Sequence, residues 1–344
     1  MQEQVLQFIN DHNLFGKEHR LLVAVSGGQD SMVLAHYLHE SEFEIAIAHC
    51  NFQLRGKESD EDEKFVKDFA AKLGVPFHIQ RFNTKAFSHG MKMSTQEAAR
   101  ELRYAWFYEL LEVHGYDWVA TAHHRRDQLE TLLINQIRGT GLKGLGGIPF
   151  KNGLIVRPLL QTDKEEIEYY AKIKEIKWRD DSSNLSEIYL RNQIRLNVLP
   201  KLTDIEPNVE EVFSQNARKA SEAFDLLTHF LDDVVSELVD DEEVEGDFRI
   251  SISKLRAYPQ RHIILYHILN RLGFNYDQCQ QAAALLEAES GKMIQNEDYG
   301  VWRDRKFLLV RRVDNIPFSL VIPDVGTYEF PYGQLDVAMV ENKK

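Results

Sequence analysis

Ser26, Gly27, Gly28, Gln29, Asp30 and Ser31 follow the apolar run LLVAV and precede a helical pattern. A strand that feeds a glycine turn into a helix start forms an anion site, because unpaired N–H groups and the helix dipole point the same way. Gly27 and Gly28 let backbone approach phosphate oxygens, and the hydroxyls of Ser26 and Ser31 can donate to them. The turn is shorter than GxxxxGK[ST] and lacks its lysine, which separates it from the loops of ordinary γ-phosphoryl transfer. Asp30 would repel a phosphate unless a cation stood between them, so it is expected to hold Mg²⁺ against the phosphates of ATP. A tight strand-to-helix turn with a capping aspartate is the plainer alternative for SGG alone.

A second set lies in TAHHRRDQLETLLINQIRGTGLKGLGGI. Asp127 and Glu130 stand three apart on one helix face, just after His123 and His124. Two carboxylates in a first helical turn can bind an incoming ammonium group, and one can take its proton as the amine becomes a nucleophile. The paired histidines also invite a zinc reading, against which stand the absence of HExxH spacing and the opposed directions of neighbouring side chains. The glycines from Gly139 to Gly147 are expected to form a mobile loop, either a lid or a connector. Cations come from three other places. Arg100 and Arg103 share a face of EAARELRY, where one could stabilise charge on phosphate or pair with Glu97 or Glu101. Arg191 and Arg195 are four apart in YLRNQIRLNVLPKL, with Lys201 beyond, a patch suited either to RNA phosphate or to salt bridging on a helix surface. AHCNFQLRG adds His49, Asn51 and Arg55 at the end of another strand-like run.

The elements that must position these residues alternate. From residue 21 to about 160, the runs LLVAV, FEIAIAH, VPFHIQRF, WVATAH and LIVRPLL are separated by helical patterns at 30–40, 59–73, 94–114 and 127–138. Such alternation predicts an α/β fold, a doubly wound parallel sheet with crossover helices. Ser94 with Glu97, and Thr162 with Glu165, fit capping boxes, and Gly74 and Gly115 fall at expected helix ends. Helices follow at about 163–175, 187–199 and 208–240, the last entered at Pro207. Beyond DDEEVEGD come FRISIS, helices near 258–272 and 276–289, and the hairpin-like VWRDRKFLLV, a small α+β module. The expected domains are 1–205 for nucleotide binding and catalysis, 206–315 for a helical and α+β module, and 316–344 for the start of a further, truncated one.

The chain has 344 residues, 43% hydrophobic and 28% charged, enough for two or three globular domains. No stretch approaches the ~20 apolar residues that span a bilayer, and no secretory leader is evident, so a cytoplasmic protein is expected. Cys50 and Cys279 lie far apart and form no CxxC pair, which predicts buried thiols. A net charge of −13 argues against indiscriminate nucleic-acid binding but allows a local basic surface. The acidic patches Glu58 to Glu63 and Asp240 to Glu245 read as solvated helix starts or linkers.

SGGQDS resembles the SGGxDS loop of the PP-loop ATP pyrophosphatases, which cleave ATP to AMP and pyrophosphate while adenylating a substrate. SGGQDS, HCNFQLRG, AARELRY, AHHRRDQLET, RGTGLKGLGGI, RPLL, DDSSN and RNQIR, in that order, resemble the motif series of the tRNA(Ile)-lysidine synthetases over about residues 20–200. The resemblance implies adenylation of the C2 carbonyl oxygen of the wobble cytidine in the CAU anticodon, followed by attack of free L-lysine to give lysidine and AMP. It also implies roles: Ser26 to Ser31 for ATP, Asp30 for Mg²⁺ and catalysis, Arg103 for phosphate or developing charge, and Asp127, Glu130 and His123 for lysine. Arg191, Arg195 and Lys201 are expected to meet tRNA, and a homodimer is admitted as an assembly.

The chain departs from the family pattern in places. Cys50 and Phe52 replace a valine and a histidine, Arg126 stands where an acid is usual, and the end falls short of the usual C-terminal module. Other PP-loop activities fit less well. Cytidine thiolation needs cysteine pairs, glutamine-dependent synthetases need an amidotransferase domain, and NAD synthetase leaves DDSSN and RNQIR unexplained. A nucleotide- or RNA-binding module without turnover is the non-enzymatic alternative, and the intact set of Asp30, Arg103, Asp127 and Glu130 argues against it.

Overall fold

The computed structural model describes residues 1–179, 190–241, 247–313, 322, 324–330 and 333–339. It divides into two compact units, Met1–Asp225 and Leu226–Lys344. The first carries strands β1 (Arg20–Ala24), β2 (Glu44–Asn51), β3 (Phe77–Arg81), β4 (Trp118–Ala120), β5 (Lys151–Asn152) and β6 (Ile155–Val156). Their order in the sheet is β3-β2-β1-β4-β6-β5, parallel except for the short edge strand β5.

The helices of this unit are α1 (Gln2–Asp11), α2 (Gln29–Glu40), α3 (Lys57–Leu73), α4 (Thr84–Gly90), α5 (Thr95–His114), α6 (Arg125–Arg138), α7 (Gly141–Leu145), α8 (Lys164–Ile173), α9 (Leu190–Gln193) and α10 (Leu199–Ile205). A π-helical stretch, Ile194–Val198, joins the last two.

The strands read as unbroken apolar runs because both faces of the sheet are covered. Successive residues point to opposite faces. Leu21 and Val23 accordingly pack with Met32, Leu34, Tyr37 and Ile167 on one side, while Leu22 packs with Trp106, Phe107 and Leu110 on the other. The doubly wound sheet anticipated from the alternation is therefore present.

Local signals place the helix ends. At α5 the Glu97 amide donates to Ser94 Oγ at 3.2 Å and the Ser94 amide to Glu97 Oε2 at 3.0 Å, the anticipated box. Gly74 and Gly115 close α3 and α5 in the left-handed region. The box expected at Thr162 and Glu165 sits one residue later, at Asp163 and Glu166. Thr162 is buried with its carbonyl accepting from the Arg125 amide, so Asp163 becomes the cap. The glycine-rich run is not a free lid but a short helix, α7. Asn135 donates to the Gly144 carbonyl at 2.9 Å, and Gln128 accepts from the Ile148 amide at 2.6 Å. At Gly147, where φ is +63°, a Cβ would meet the Gln128 amide at 2.9 Å.

The helix α11 (Val209–Leu238) starts two residues after Pro207, and the division at Asp225 falls inside it. The second unit holds β7 (Val239–Asp241), β8 (Phe248–Ser251), α12 (Ile252–Leu255), α13 (Arg261–Leu269), α14 (Tyr276–Ala284), β9 (Met293–Gln295), β10 (Tyr299–Arg303) and β11 (Phe307–Arg312). Its antiparallel sheet, β7-β8-β11-β10-β9, packs Ile250, Val301, Leu308 and Val310 against Leu265, Leu269, Phe274 and buried Cys279. A separate hairpin pairs β12 (Gly326–Phe330) with β13 (Gly333–Val337). Among the described residues, no helix is long and apolar enough to cross a membrane.

Candidate active site

Strand order reverses between β1 and β4, and ligands of open α/β sheets gather outside the carboxyl ends of the strands at such a point. An open cleft of about 1420 Å³ lies there, lined by the 26–31 turn, the end of β2, one face of α5, residues 121–124 and the 175–179 segment. A pocket for one drug-sized ligand is typically about 300–1,000 Å³. The larger volume suits two reactants side by side.

Burial of the β1 end and the α2 start holds the turn. Gly27 has φ +97°, a conformation that favours glycine, and a Cβ would lie 3.4 Å from Val66 Cγ2. Ser31 Oγ accepts from the Ser26 amide at 3.2 Å and donates to the Gly28 carbonyl at 2.9 Å. Its hydroxyl thus braces the turn, while Ser26, Gly28 and Gln29 face the cleft. From the far side, the Arg179 amide donates to the Gly27 carbonyl at 3.0 Å.

Asp30 meets two basic groups that arrive from distant segments. Its carboxylate pairs with Lys164 at the first residue of α8 and stands 3.6 Å from His124 Nε2. Burial alone raises its pKa, yet His124 and Lys164 outweigh that and hold it at about 2. The same His124 Nε2 is 3.5 Å from Asp127 Oδ2, and the His124 amide donates to that oxygen at 3.0 Å. Burial opposes the charge on His124, but Asp127 and Asp30 raise its pKa. His123 turns the other way, to Thr121 Oγ1 at 3.0 Å, and burial lowers its pKa to about 4. The two histidines are neighbours in sequence with opposite environments, one pKa lowered and the other raised.

Glu130 is fully buried. It accepts from Arg191 Nε at 2.7 Å, Arg195 Nε at 2.6 Å and Arg195 Nη2 at 3.0 Å, and Arg191 Nη2 also reaches Asp127 Oδ1 at 3.0 Å. The arginines expected at an RNA phosphate therefore face inward onto the carboxylates expected at lysine. Arg195 still lines the cleft, and Lys201 is exposed on α10.

Arg103 lines the cleft, its guanidinium 5.3 Å from the centre of the Phe52 ring, whereas Arg100 lies over Tyr104. Among the described residues neither pairs with Glu97 or Glu101. His49 Nδ1 is 2.8 Å from the Val25 carbonyl, and Asn51 donates to Glu63 at 2.9 Å, so both secure the β2 end beside the turn. Cys50 lines the cleft half-buried, and desolvation pushes its thiol up to about 12.

Sequence reasoning missed several participants. The patch read as solvated contains Asp62, which is buried and pairs with Arg55 at 2.8 Å and Arg179 at 2.5 Å. Lys164 was also missed, since it lies 134 residues from Asp30 and no local pattern signals it. His124 was read only as part of a histidine pair. Arg126 pairs with Glu165 and Glu210, each at 2.7 Å, which accounts for a cation where the family pattern has an acid. The DDSSN motif lies outside the described residues, as does most of Asp240 to Glu245.

A profile described as PP-loop domain matches residues 1–202, and one described as TilS substrate binding domain matches 243–313. The tRNA(Ile)-lysidine synthase of Bacteroides thetaiotaomicron is 36% identical over 326 residues, covering 93% of this chain and 75% of that one. This chain belongs to the tRNA(Ile)-lysidine synthase family. Lysidine synthases of Parabacteroides distasonis and Chlorobaculum tepidum are 39% and 35% identical; the matches cover 89% and 85% of this chain, and 69% and 91% of theirs. The fold alone is shared with the U34-tRNA thiolase NcsA from Methanococcus maripaludis, at 18% identity and a TM-score of 0.53, covering 64% of this chain and 78% of that one. In this chain of the lysidine synthase family the PP-loop domain match ends at 202 in α10, and the substrate-binding match begins at 243, after β7.

Proposed function

We infer that this chain is a ligase that forms a C–N bond, joining lysine to C2 of the wobble cytidine of tRNA(Ile) at the expense of ATP. The single observation that carries the site assignment is His124, whose Nε2 lies 3.6 Å from Asp30 and 3.5 Å from Asp127. The turn assigned to the nucleotide and the carboxylate assigned to the amine thus lie within one side chain of each other.

The chemistry follows from the substrates. A cytosine carbonyl is a poor electrophile. Attack of its O2 on the α-phosphorus of ATP forms an O–P bond and expels pyrophosphate, which makes the oxygen a leaving group. The lysine ε-amine then forms the N–C2 bond, the C2–O bond breaks, AMP departs, and the amine surrenders a proton.

In this assignment the turn from Ser26 to Ser31 receives the phosphates through its N–H groups and the α2 dipole. Among the described residues, no group of three or more His, Cys, Asp or Glu side chains is arranged to hold a metal ion. Mg²⁺ is usually held by one or two carboxylates with phosphates and water completing its shell. Asp30, ionised and facing the turn, would hold it, and the ion would offset phosphate charge. Arg103 supplies a cation from the opposite wall. Asp127 is the acceptor for the lysine ammonium and its proton, with Oδ2 toward His124. Glu130 acts beneath it by holding Arg191 and Arg195, and His123, neutral at working pH, shapes the same pocket. Lys201 offers an exposed charge to tRNA phosphate.

The test is incubation with ATP, tRNA(Ile) transcript and isotopically labelled lysine. AMP formation that requires both tRNA and lysine, with labelled mass on the wobble cytidine, is expected. ATP hydrolysis indifferent to both would sink the assignment.

A further inference from the structure

We propose that Phe52 is the positioning residue of Arg103, its ring face holding the guanidinium ready for phosphate with charge and hydrogen bonds uncommitted. The inference rests on Arg103 serving the ATP phosphates.

Arg103 has no ion-pair partner among the described residues. It has the Phe52 ring instead, with the guanidinium carbon 5.3 Å from the ring centre, and both residues line the cleft. Neighbouring Cys50 offers no negative charge, because desolvation pushes its thiol up to about 12 and Arg103 offsets that only in part. Most cations of the cleft wall are tied to carboxylates, as Arg179 is to Asp62 and Arg195 to Glu130. Lys172 and Lys177 also line the cleft without an ion pair among the described residues, but both are exposed. Arg103 is half-buried and rests on a ring.

Phe52 is itself fixed. The buried Thr84 hydroxyl donates to its carbonyl at 2.9 Å. Its ring stacks on Phe82, 5.6 Å between centres and 21° between planes, and Phe82 meets Trp106 edge to face at 6.2 Å. Trp106 lies three residues after Arg103 on α5, on the same helix face. The ladder from Arg103 through Phe52 and Phe82 to Trp106 therefore begins and ends on one helix, and the platform under the guanidinium is rigid.

A cation over a ring face is attracted by the ring quadrupole without giving up its charge or its N–H donors. A carboxylate in the same place would neutralise the guanidinium and would have to be displaced before a phosphate could bind. A cation already in place costs no reorganisation when charge develops on the phosphates.

The experiment measures pyrophosphate release from ATP in a single turnover of the full chain with tRNA(Ile) transcript and no lysine. Phe52→Leu, which keeps an apolar contact with Phe82, is expected to slow it about three- to thirtyfold, the scale of one cation–π contact. Phe52→Tyr keeps the ring and should retain most of the wild-type rate. In an Arg103→Ala background, Phe52→Leu should change the remaining rate by less than about twofold, because it acts through Arg103. Equal rates in Phe52→Leu and wild type overturn the proposal, as do equal losses in the Leu and Tyr variants. A Phe52→Leu loss that persists undiminished in the Arg103→Ala background also overturns it, since that marks a role apart from Arg103, such as stacking on a base. A wild-type rate in Arg103→Ala alone would instead overturn the assignment of Arg103 to the phosphates, and this proposal with it. Phenylglyoxal modification followed by mass spectrometry reads the contact without turnover. Phe52→Leu should speed modification of Arg103 at least about threefold while leaving Arg100, which lies over Tyr104, unchanged; unaltered Arg103 reactivity overturns the proposal.

Discussion

Replacing Glu130 with glutamine removes the buried charge on which two arginines converge. The carboxylate is fully buried and accepts three guanidinium hydrogen bonds between 2.6 and 3.0 Å. Breaking a buried ion pair by removing one partner costs about 3–5 kcal/mol. Two features reduce that here. The Arg191 and Arg195 side chains are 39% and 33% exposed, so water can recover part of their solvation, and Asp127 remains 3.0 Å from one and 3.7 Å from the other. Glutamine also retains the shape and one acceptor. The expected loss is therefore about 2–3 kcal/mol, below the full range for an isolated buried pair. For a unit of this size that corresponds to a fall of roughly 4–12 °C in the midpoint, at about 2–4 °C per kcal/mol. Thermal unfolding of the full chain measures it, and a double-mutant cycle with Arg195→Gln should return a coupling of about 1–2 kcal/mol. A loss under about 0.5 kcal/mol, or strictly additive single variants, would refute the view that Glu130 anchors this wall of the site.

Three further outcomes follow from the same geometry. Asp127→Asn is expected to leave lysine-independent pyrophosphate release nearly intact while slowing lysidine formation by about 100-fold or more, the scale of a lost general base; an unchanged lysine KM and rate would remove Asp127 from the amine site. Acid unfolding should show two stages. His123 has a folded pKa of about 4, below its ordinary 6.5, so its contribution is present above pH 6.5 and is lost as pH falls toward 4. Asp30 has a folded pKa of about 2 against an ordinary 3.8, so its contribution is present above that value and is lost between about pH 4 and 2. His124 runs the opposite way. Its raised pKa adds stability below 6.5 that fades as pH rises through the folded value, so His124→Gln should flatten the alkaline side of the pH–stability curve.

Short-range physics made much of the architecture legible. Apolar runs of strand length, glycine ends at Gly74 and Gly115, and the Ser94 box each depend on residues within a few positions, and each element appears near its expected place. The SGGQDS turn was legible for the same reason, since a strand, two glycines and a helix start are contiguous. What tertiary structure alone decided is which charge meets which. Lys164 reaches Asp30, Asp62 collects Arg55 and Arg179, and Arg191 with Arg195 turns inward to Glu130, across 134, 7, 117, 61 and 65 residues respectively. Ion pairing between separate elements has no sequence period. Its partners are set by which strand ends lie side by side at the reversal between β1 and β4, and a chain read residue by residue carries that neighbourhood only through the whole fold.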